Sequence, residues 1–366
     1  MPAATAKIDP REKDLKVPDN HKVATFSKKG GPVTIEEQKV RKDLQKGEAL
    51  VHVLYSGVCH TDLHAVLGDW PVDNKLPLIG GHEGAGVVVA LGSGADEYVK
   101  IGDRVGIKWL ADSCLQCDQC RRGHEATCAK AQCSGYTVDG SFQQYAVASA
   151  RHLTKIPDGL DLETASPLLC AGVTVYRAVK ESRITAGETL VVVGSGGGLG
   201  HLAVQYANYV GAKVIGIDTG ADKEALSRKL GCEEFIDFKK VPDLVQAVKD
   251  ATPDGQGPYA AIVAASNASA YEQALDYLRP RGTLVAVGLP PSTDIKANVF
   301  WTVFKALHIV GSYVGNRQDA VECLDIAARG KVQVIFKTVP LSELPQVYDD
   351  MHHGKIAGRI VLNLDK

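Results

Sequence analysis

The chain has 366 residues, more than one hydrophobic core usually spans, so two domains are expected. With 45% hydrophobic and 23% charged residues and no apolar run of membrane-spanning length, it reads as a soluble globular protein rather than a membrane or disordered one. A net charge of -2 argues against nucleic acid or anionic lipid as partner and favours small neutral or cofactor-bound substrates.

Residues 1–20, MPAATAKIDPREKDLKVPDN, mix both charges without an apolar centre, and Asp9, Glu12 and Asp14 interrupt any basic amphipathic helix. Neither a secretory signal nor a transit peptide is read there; a mobile extension is expected, in a cytoplasmic protein. Nine cysteines without export are read as reduced, four to seven of them on metal. From about residue 23 to 150, short β-rich runs (50–55, 86–90, 104–107) punctuated by glycine suggest a β-barrel-like domain. After Pro167 an apolar helical stretch reaches Tyr176. Six apolar runs then follow, at 190–193, 214–217, 234–238, 261–265, 283–287 and 308–310, alternating with helix-period segments. That alternation implies right-handed βαβ units and a parallel, doubly wound sheet. The stretch from about 315 to 366 is read as one helix and one strand (360–364) returning to the first domain. The expected division is an extension over 1–20, a first domain over 21–171 and 315–366, and an inserted domain over 172–314.

Three residue sets carry chemistry. Cys114, Cys117, Cys120 and Cys128 form C-x2-C-x2-C-x7-C in a polar, glycine-bearing loop. Four soft thiolates on so short a segment suit a closed tetrahedral zinc site with a structural role, an iron–sulfur cluster being the alternative. Cys133, just downstream, is read as a spare thiol. Cys59 in YSGVCHTDLH and His82 in GGHEGAG each sit at the exit of an apolar run, and Cys170 lies in LLCAGVTVY. Two thiolates and an imidazole would leave a tetrahedral zinc one open position, although a buried free cysteine is also common in packing. Third, the run 190–193 leads into GSGGGLG, the residues Gly194, Ser195, Gly196, Gly197, Gly198, Leu199 and Gly200, and then into a helical stretch. Such a turn lets backbone approach a pyrophosphate at a helix N-terminus, but Ser195 stands where the strict G-x-G-x-x-G has its first glycine. Asp218, at the end of the next strand, is placed to hold adenosine ribose hydroxyls and repel a 2′-phosphate, which predicts NAD over NADP.

Taken together, SGVCHTDLH, GDW, GGHEGAGVV, the cysteine ladder, SGYTVDGSFQQYA, LLCAGVTVY and GSYVGNR resemble the zinc-dependent medium-chain alcohol dehydrogenases of the tetrameric, yeast type. The likeness runs from about His21 to the C-terminus. It implies a GroES-like β-barrel catalytic domain with a doubly wound Rossmann domain, two zinc ions per chain, NAD and a homotetramer. It also implies that Cys59, His82 and Cys170 hold the catalytic zinc and that Glu83 exchanges with the fourth ligand. Asp62 would accept the free ring N–H of His82 and strengthen it as a ligand. Zinc as a Lewis acid makes an alcohol oxygen acidic near neutral pH. The family's relay then carries the proton from substrate through Thr61, cofactor ribose and His64 to solvent. Lys223 corresponds to a second ribose contact, His60 and Arg359 to pyrophosphate contacts, and Val287, Gly288 and Leu289 to the nicotinamide end. Trp70, Trp109 and Leu289 would wall the substrate pocket, favouring short primary alcohols, ethanol and acetaldehyde first.

Three rivals share parts of this pattern. A same-fold dehydrogenase for a polyol or aromatic alcohol would differ only in its pocket walls. A binding or regulatory protein could keep the cysteine ladder alone, and a metal-free reductase could keep only the two-domain plan. Zinc content separates them: two per chain for the enzyme, one for the binding protein, none for the reductase.

Overall fold

The computed structural model describes residues 8–265, 267–290, 293–356 and 358–366. The chain divides into two units. The first runs up to Cys170 and adds Gly315–Gly330 and Val334–Lys366; the second comprises Ala171–Val314 and Lys331–Gln333. The cut therefore falls one residue before the expected one, and a three-residue piece near 332 joins the inserted unit.

In the first unit, alternation of apolar and small residues sets the strands, since successive side chains face opposite sides of a sheet. Its main sheet runs Thr154–Lys155, Arg104–Ile107, Gly84–Leu91, Glu48–Val58, Arg359–Asn363, Phe336–Pro340, with Tyr145–Ser149 also pairing with Glu48–Val58. A three-stranded sheet, Thr34–Lys39, Asn20–Phe26 and Leu78–Ile79, and a small ladder of Leu110–Asp112 with Gln132–Cys133 complete it. The long central strand Glu48–Val58 is buried along most of its length and delivers Cys59 at its end. Its antiparallel neighbour Arg359–Asn363 pairs Ile360 with Val58 and Asn363 with Tyr55.

The C-terminal stretch holds more than the single helix and strand expected. It has two helices, Arg317–Ala328 and Leu344–His352, and two strands, Phe336–Pro340 and Arg359–Asn363. The helix Leu344–His352 has Pro345 in its first turn and carries only three strongly apolar buried positions, Leu344, Val347 and Met351, with Tyr348. That pattern is easily read as loop. The strand Phe336–Pro340 ends in proline and is half-exposed at the sheet edge, so its periodicity is weak.

Residues 1–7 of the expected extension lie outside the described residues. The part that follows is anchored rather than mobile. Pro10–Lys13 forms a short 3-10 helix capped by Asp9, and Glu12 is buried with its carboxylate on Arg104 Nε at 2.8 Å. Arg11 reaches Asp9, Asn363 and Asp365, and Tyr55 donates to Asp9 at 2.9 Å. Three of the charges in this segment, Asp9, Arg11 and Glu12, form the clasp.

The second unit is a six-stranded parallel sheet in the order Glu234–Asp237, Lys213–Asp218, Thr189–Val193, Ala260–Val263, Thr283–Ala286, His308–Gly311. All six expected runs are strands, and the order reverses between the first and fourth in sequence, the switch point at which such sheets bind ligands. Val191, Ile215, Val263 and Leu284 belong to one buried core with Tyr271 and Leu275 of the helix Ala268–Tyr277.

Candidate active site

Cys59, the adjacent pair His82 and Glu83, and Cys170 come from three separated places in the first unit, and one ligand atom of each lies within 4.8 Å of the others. Cys59 caps the helix His60–Leu67, and Asp62 closes a capping box by accepting from Cys59 N at 2.9 Å. The other oxygen of Asp62 accepts from Gly81 N at 3.2 Å and pairs with His82 Nδ1 at 2.9 Å. One buried carboxylate thus orients two members of the set. His82 Nε2 is buried and has no hydrogen-bond partner, as a nitrogen reserved for a metal would be. Cys170 sits in a π-helical turn, Leu168–Gly172, of the kind that often marks functional positions.

Glu83 enters the cluster because Gly57 has no side chain: a Cβ there would stand 1.8 Å from Glu83 Oε2. Its other oxygen accepts from Arg359 Nη2. Arg359, the first residue of its strand and 6% exposed, is therefore a buried counter-ion to Glu83. Removing one member of such a pair leaves an unpaired buried charge, at a cost of about 3–5 kcal/mol.

The electrostatics follow from burial against partners. Contact with Cys170, then with His82, holds the Cys59 thiol well below its usual range; the same contact and burial push Cys170 up. Burial works against the His82 imidazolium, but Asp62 overrides it and raises the ring. Burial lifts Glu83 to about 7 in spite of Arg359. Two close thiols with one thiolate already favoured, an oriented imidazole and a carboxylate form a donor set that zinc fits.

Thr61 and His64 lie one turn apart on the helix His60–Leu67, which ends at Gly68 in a left-handed conformation. His64 Nδ1 pairs with Asp69 at 2.9 Å, and its ring stacks on Trp70 at 5.1 Å. Trp70 meets Trp109 edge-on at 6.4 Å, Trp109 meets His82 at 5.2 Å, and Tyr136 packs against both tryptophans. The predicted wall is thus continuous from His64 to His82. Tyr136 and Asp69 are additions to the predicted residues; Asp69 stands in the quoted GDW, but nothing in a one-letter string shows which histidine it faces. His60 is the first residue of this helix, and partial desolvation lowers its pKa.

The four-cysteine loop closes on itself. Cys114, Cys117, Cys120 and Cys128 offer sulfurs within 4.8 Å of one another. Backbone N–H groups of Gln116 and Cys117 point at Cys114 Sγ (3.5 and 3.3 Å), and Lys130 N points at Cys128 Sγ at 3.3 Å. Those N–H groups bring Cys114 down to about 6, whereas burial raises Cys120 to about 11. N–H groups aimed at sulfur stabilise thiolate, so this set also fits zinc. Asn316 Nδ2 donates to Gly123 O at 2.8 Å and Arg317 Nε to Glu125 at 2.7 Å, tying the loop to the C-terminal helix of the same unit. Cys133 lies in the adjoining ladder, outside the set.

In the second unit the left-handed backbone falls on Gly194 (φ 83°), one residue before Ser195. Ser195 is therefore free to bury its hydroxyl on Ser227 Oγ at 2.8 Å, which accounts for the irregular fingerprint. A Cβ on Gly200 would stand 1.9 Å from Gly194 O, so strand and helix pack closely there. Gly197 N donates to Gly194 O at 2.9 Å, closing the turn Gly194–Gly197; Gly198 and Leu199 lead from it into the helix Gly200–Tyr209, which no side chain caps. Its dipole end is left for an anion. Asp218, 6% exposed, accepts from Gly196 N at 3.1 Å and from Lys223 Nζ at 2.9 Å, so both predicted ribose contacts meet. Turn, uncapped helix and carboxylate fit a dinucleotide. Val287 is buried and Gly288 is closed in by Tyr271, whose hydroxyl donates to Gly288 O at 2.9 Å; Leu289 is 56% exposed.

A family model described as the alcohol dehydrogenase GroES-like domain matches residues 45–158, and one described as zinc-binding dehydrogenase matches 198–329. Alcohol dehydrogenase 1 of Neurospora crassa is 52% identical over 352 residues, covering 96% of this chain and 99% of its own. Alcohol dehydrogenase 1 of Emericella nidulans is 50% identical with the same coverage. Among solved structures, the alcohol dehydrogenase of Aeropyrum pernix is similar at 30% identity with a TM-score of 0.85, covering 94% of this chain and 100% of its own. Acetophenone reductase of Geotrichum candidum, solved in complex with NAD, follows at 27% identity and a TM-score of 0.82, covering 95% and 98%.

Proposed function

Because the chain belongs to the zinc-dependent medium-chain alcohol dehydrogenases, we propose that it interconverts small primary alcohols and aldehydes with NAD at the cluster of Cys59, His82 and Cys170. The observation that carries the site is the unpartnered, buried His82 Nε2, oriented through Asp62 into two thiols. When bound, zinc supplies Lewis acidity toward the alcohol oxygen and NAD accepts the hydride. The protein's own groups do the rest. Asp62 keeps the His82 proton on Nδ1. Trp70, Trp109 and Tyr136 exclude water and limit the length of the substrate chain. Thr61 and His64 move the alcohol proton outward, His64 being half-exposed and oriented by Asp69. Arg359 neutralises Glu83 so that two thiolates and a carboxylate do not share one pocket unopposed. The four-cysteine loop holds a second, structural zinc.

Asp218 selects NAD by holding ribose hydroxyls where a 2′-phosphate would meet its charge. Assembly as a homotetramer is part of the proposal. It is supported by the helix Val299–Phe304, whose Val299, Phe300, Val303 and Phe304 are 63–76% exposed, beside the edge strand His308–Gly311. Reduced thiols among all nine cysteines agree with a cytoplasmic setting.

The test is initial-rate measurement with NAD over primary alcohols of increasing length, with and without a chelator, on wild type and Trp70→Ala. Ethanol-sized substrates should lead in the wild type, chelator should abolish turnover, and Trp70→Ala should move the optimum to longer or branched alcohols. Chelator-resistant activity would remove zinc from the chemistry, and an unmoved optimum would remove Trp70 from the pocket.

A further inference from the structure

Asp237 ends the strand Glu234–Asp237 beside Asp218, its register partner on the neighbouring strand. It is 8% exposed, and none of the chemistry above uses it. Its Oδ2 accepts from Gly220 N at 3.3 Å and its Oδ1 from Lys239 N at 3.1 Å, with the Thr219 side chain also bonded to it and Lys240 Nζ at 3.4 Å. Burial opposes its charge, yet these donors hold its pKa down at about 2, so it is ionised at neutral pH.

What Asp237 grips is the turn between two cofactor-facing groups. Thr219 and Gly220 link the strand Lys213–Asp218 to the helix Ala221–Lys229, with Gly220 at φ 100°. Asp218 Oδ1 accepts from Thr219 N at one side of this turn, and from Lys223 of the helix beyond it, both at 2.9 Å. Asp237 holds the turn from the opposite side. A phosphate on the ribose 2′-oxygen would be brought up against this same turn, because Asp218 is the group that meets that oxygen.

We propose that Asp237 is a positioning and specificity residue for the dinucleotide: it locks the Thr219–Gly220 turn so that Asp218 and Lys223 keep one geometry, and it supplies a second negative charge against a 2′-phosphate. The proposal rests on the reading of Asp218 as the ribose ligand.

The experiment is calorimetric titration of NAD and of NADP, without turnover, into wild type, Asp237→Asn, Asp237→Ala and Asp218→Ala. Asp237→Asn keeps an oxygen for Gly220 N and loses the charge. Its ratio of NADP Kd to NAD Kd should fall about three- to ten-fold, as loss of one partly screened charge beside this turn dictates, with NAD Kd itself nearly unchanged. Asp237→Ala also frees the turn and should weaken NAD about five-fold or more, a loss that Asn rescues. A wild-type ratio in Asp237→Asn, with Asp218→Ala shifting that ratio, overturns the specificity role. Wild-type NAD affinity in Asp237→Ala overturns the positioning role. If Asp218→Ala leaves the ratio unmoved, the ribose reading fails and takes the proposal with it.

Discussion

Replacing Asp62 with Asn isolates the orientation of the metal ligands from their identity. Asp62 accepts three hydrogen bonds, from Cys59 N, Gly81 N and His82 Nδ1, through its two oxygens. Asn has the same shape but one accepting oxygen. Either Cys59 N or His82 Nδ1 must then face an NH2 group, donor against donor. Losing a bond to a charged acceptor costs about 1.5–3 kcal/mol. Removing the outer partner of a metal-bound histidine typically lowers metal affinity about 10–100-fold, which at about 1.4 kcal/mol per tenfold spans nearly the same range. The assay is zinc transfer to a chromogenic chelator, which separates two phases. The four-cysteine loop does not touch Asp62 and serves as internal reference. We expect the catalytic phase to accelerate about 10–100-fold while the structural phase stays put. Two zinc ions released at wild-type rates would show that Asp62 does not set the ligand geometry and would refute the reasoning.

Three further outcomes follow from the same contacts. His64→Gln should lose rate most at low pH and recover with small added buffers, and Asp69→Asn should show a weaker form of the same defect; an unaltered pH profile in His64→Gln would exclude the relay. Cys120→Ser should release about one zinc per chain and lower Tm, because a closed tetrahedral site needs all four thiolates; unchanged metal content would dismiss the structural site. Arg11→Ala tests the N-terminal clasp. Arg11, foremost, holds Asp9 at about 2, and Asp365, though burial opposes its charge, is held at about 2 by His52, Gln144 and Arg11. Both folded values lie below the unfolded 3.8, so this stability is present above about pH 4 and lost as pH falls toward 2. Tm of Arg11→Ala should fall below wild type at pH 7 and approach it as pH falls to about 2; a constant gap across that window would show that charge is not what the clasp contributes.

The six strands of the nucleotide unit were legible because parallel strands read as continuous apolar runs, and such runs stand out against helix-period segments; their order was not. The residues that the structure gathers into two candidate metal sets were legible for a different reason. Cysteine and histidine have few uses at glycine-flanked strand exits, and the surrounding motifs are long. The partners of those ligands were less so. Asp62 came through because it is three residues from Cys59, within one helical turn. The pairing of Arg359 with Glu83 spans most of the chain and depends on the register of Ile360 against Val58, which no local pattern encodes. The anchoring of Glu12 on Arg104 failed to appear for the same reason: isolated charges near a terminus look solvated until the surface they meet is known. Ser195 shows the converse error, a mismatch to a fingerprint that dissolves once the left-handed turn is seen one residue earlier.

The two thiol sets also differ in how the chain reaches them. Cys114 to Cys128 is a short loop that can gather four sulfurs while the rest of the polypeptide is still disordered, since closing it costs little chain entropy. Cys59 and Cys170 are separated by more than a hundred residues, and His82 is held in place by Asp62 on the capped helix. If both sets hold zinc as proposed, the loop gathers its ligands from one short segment, whereas the other set depends on the paired strands that bring residues 59, 82 and 170 together.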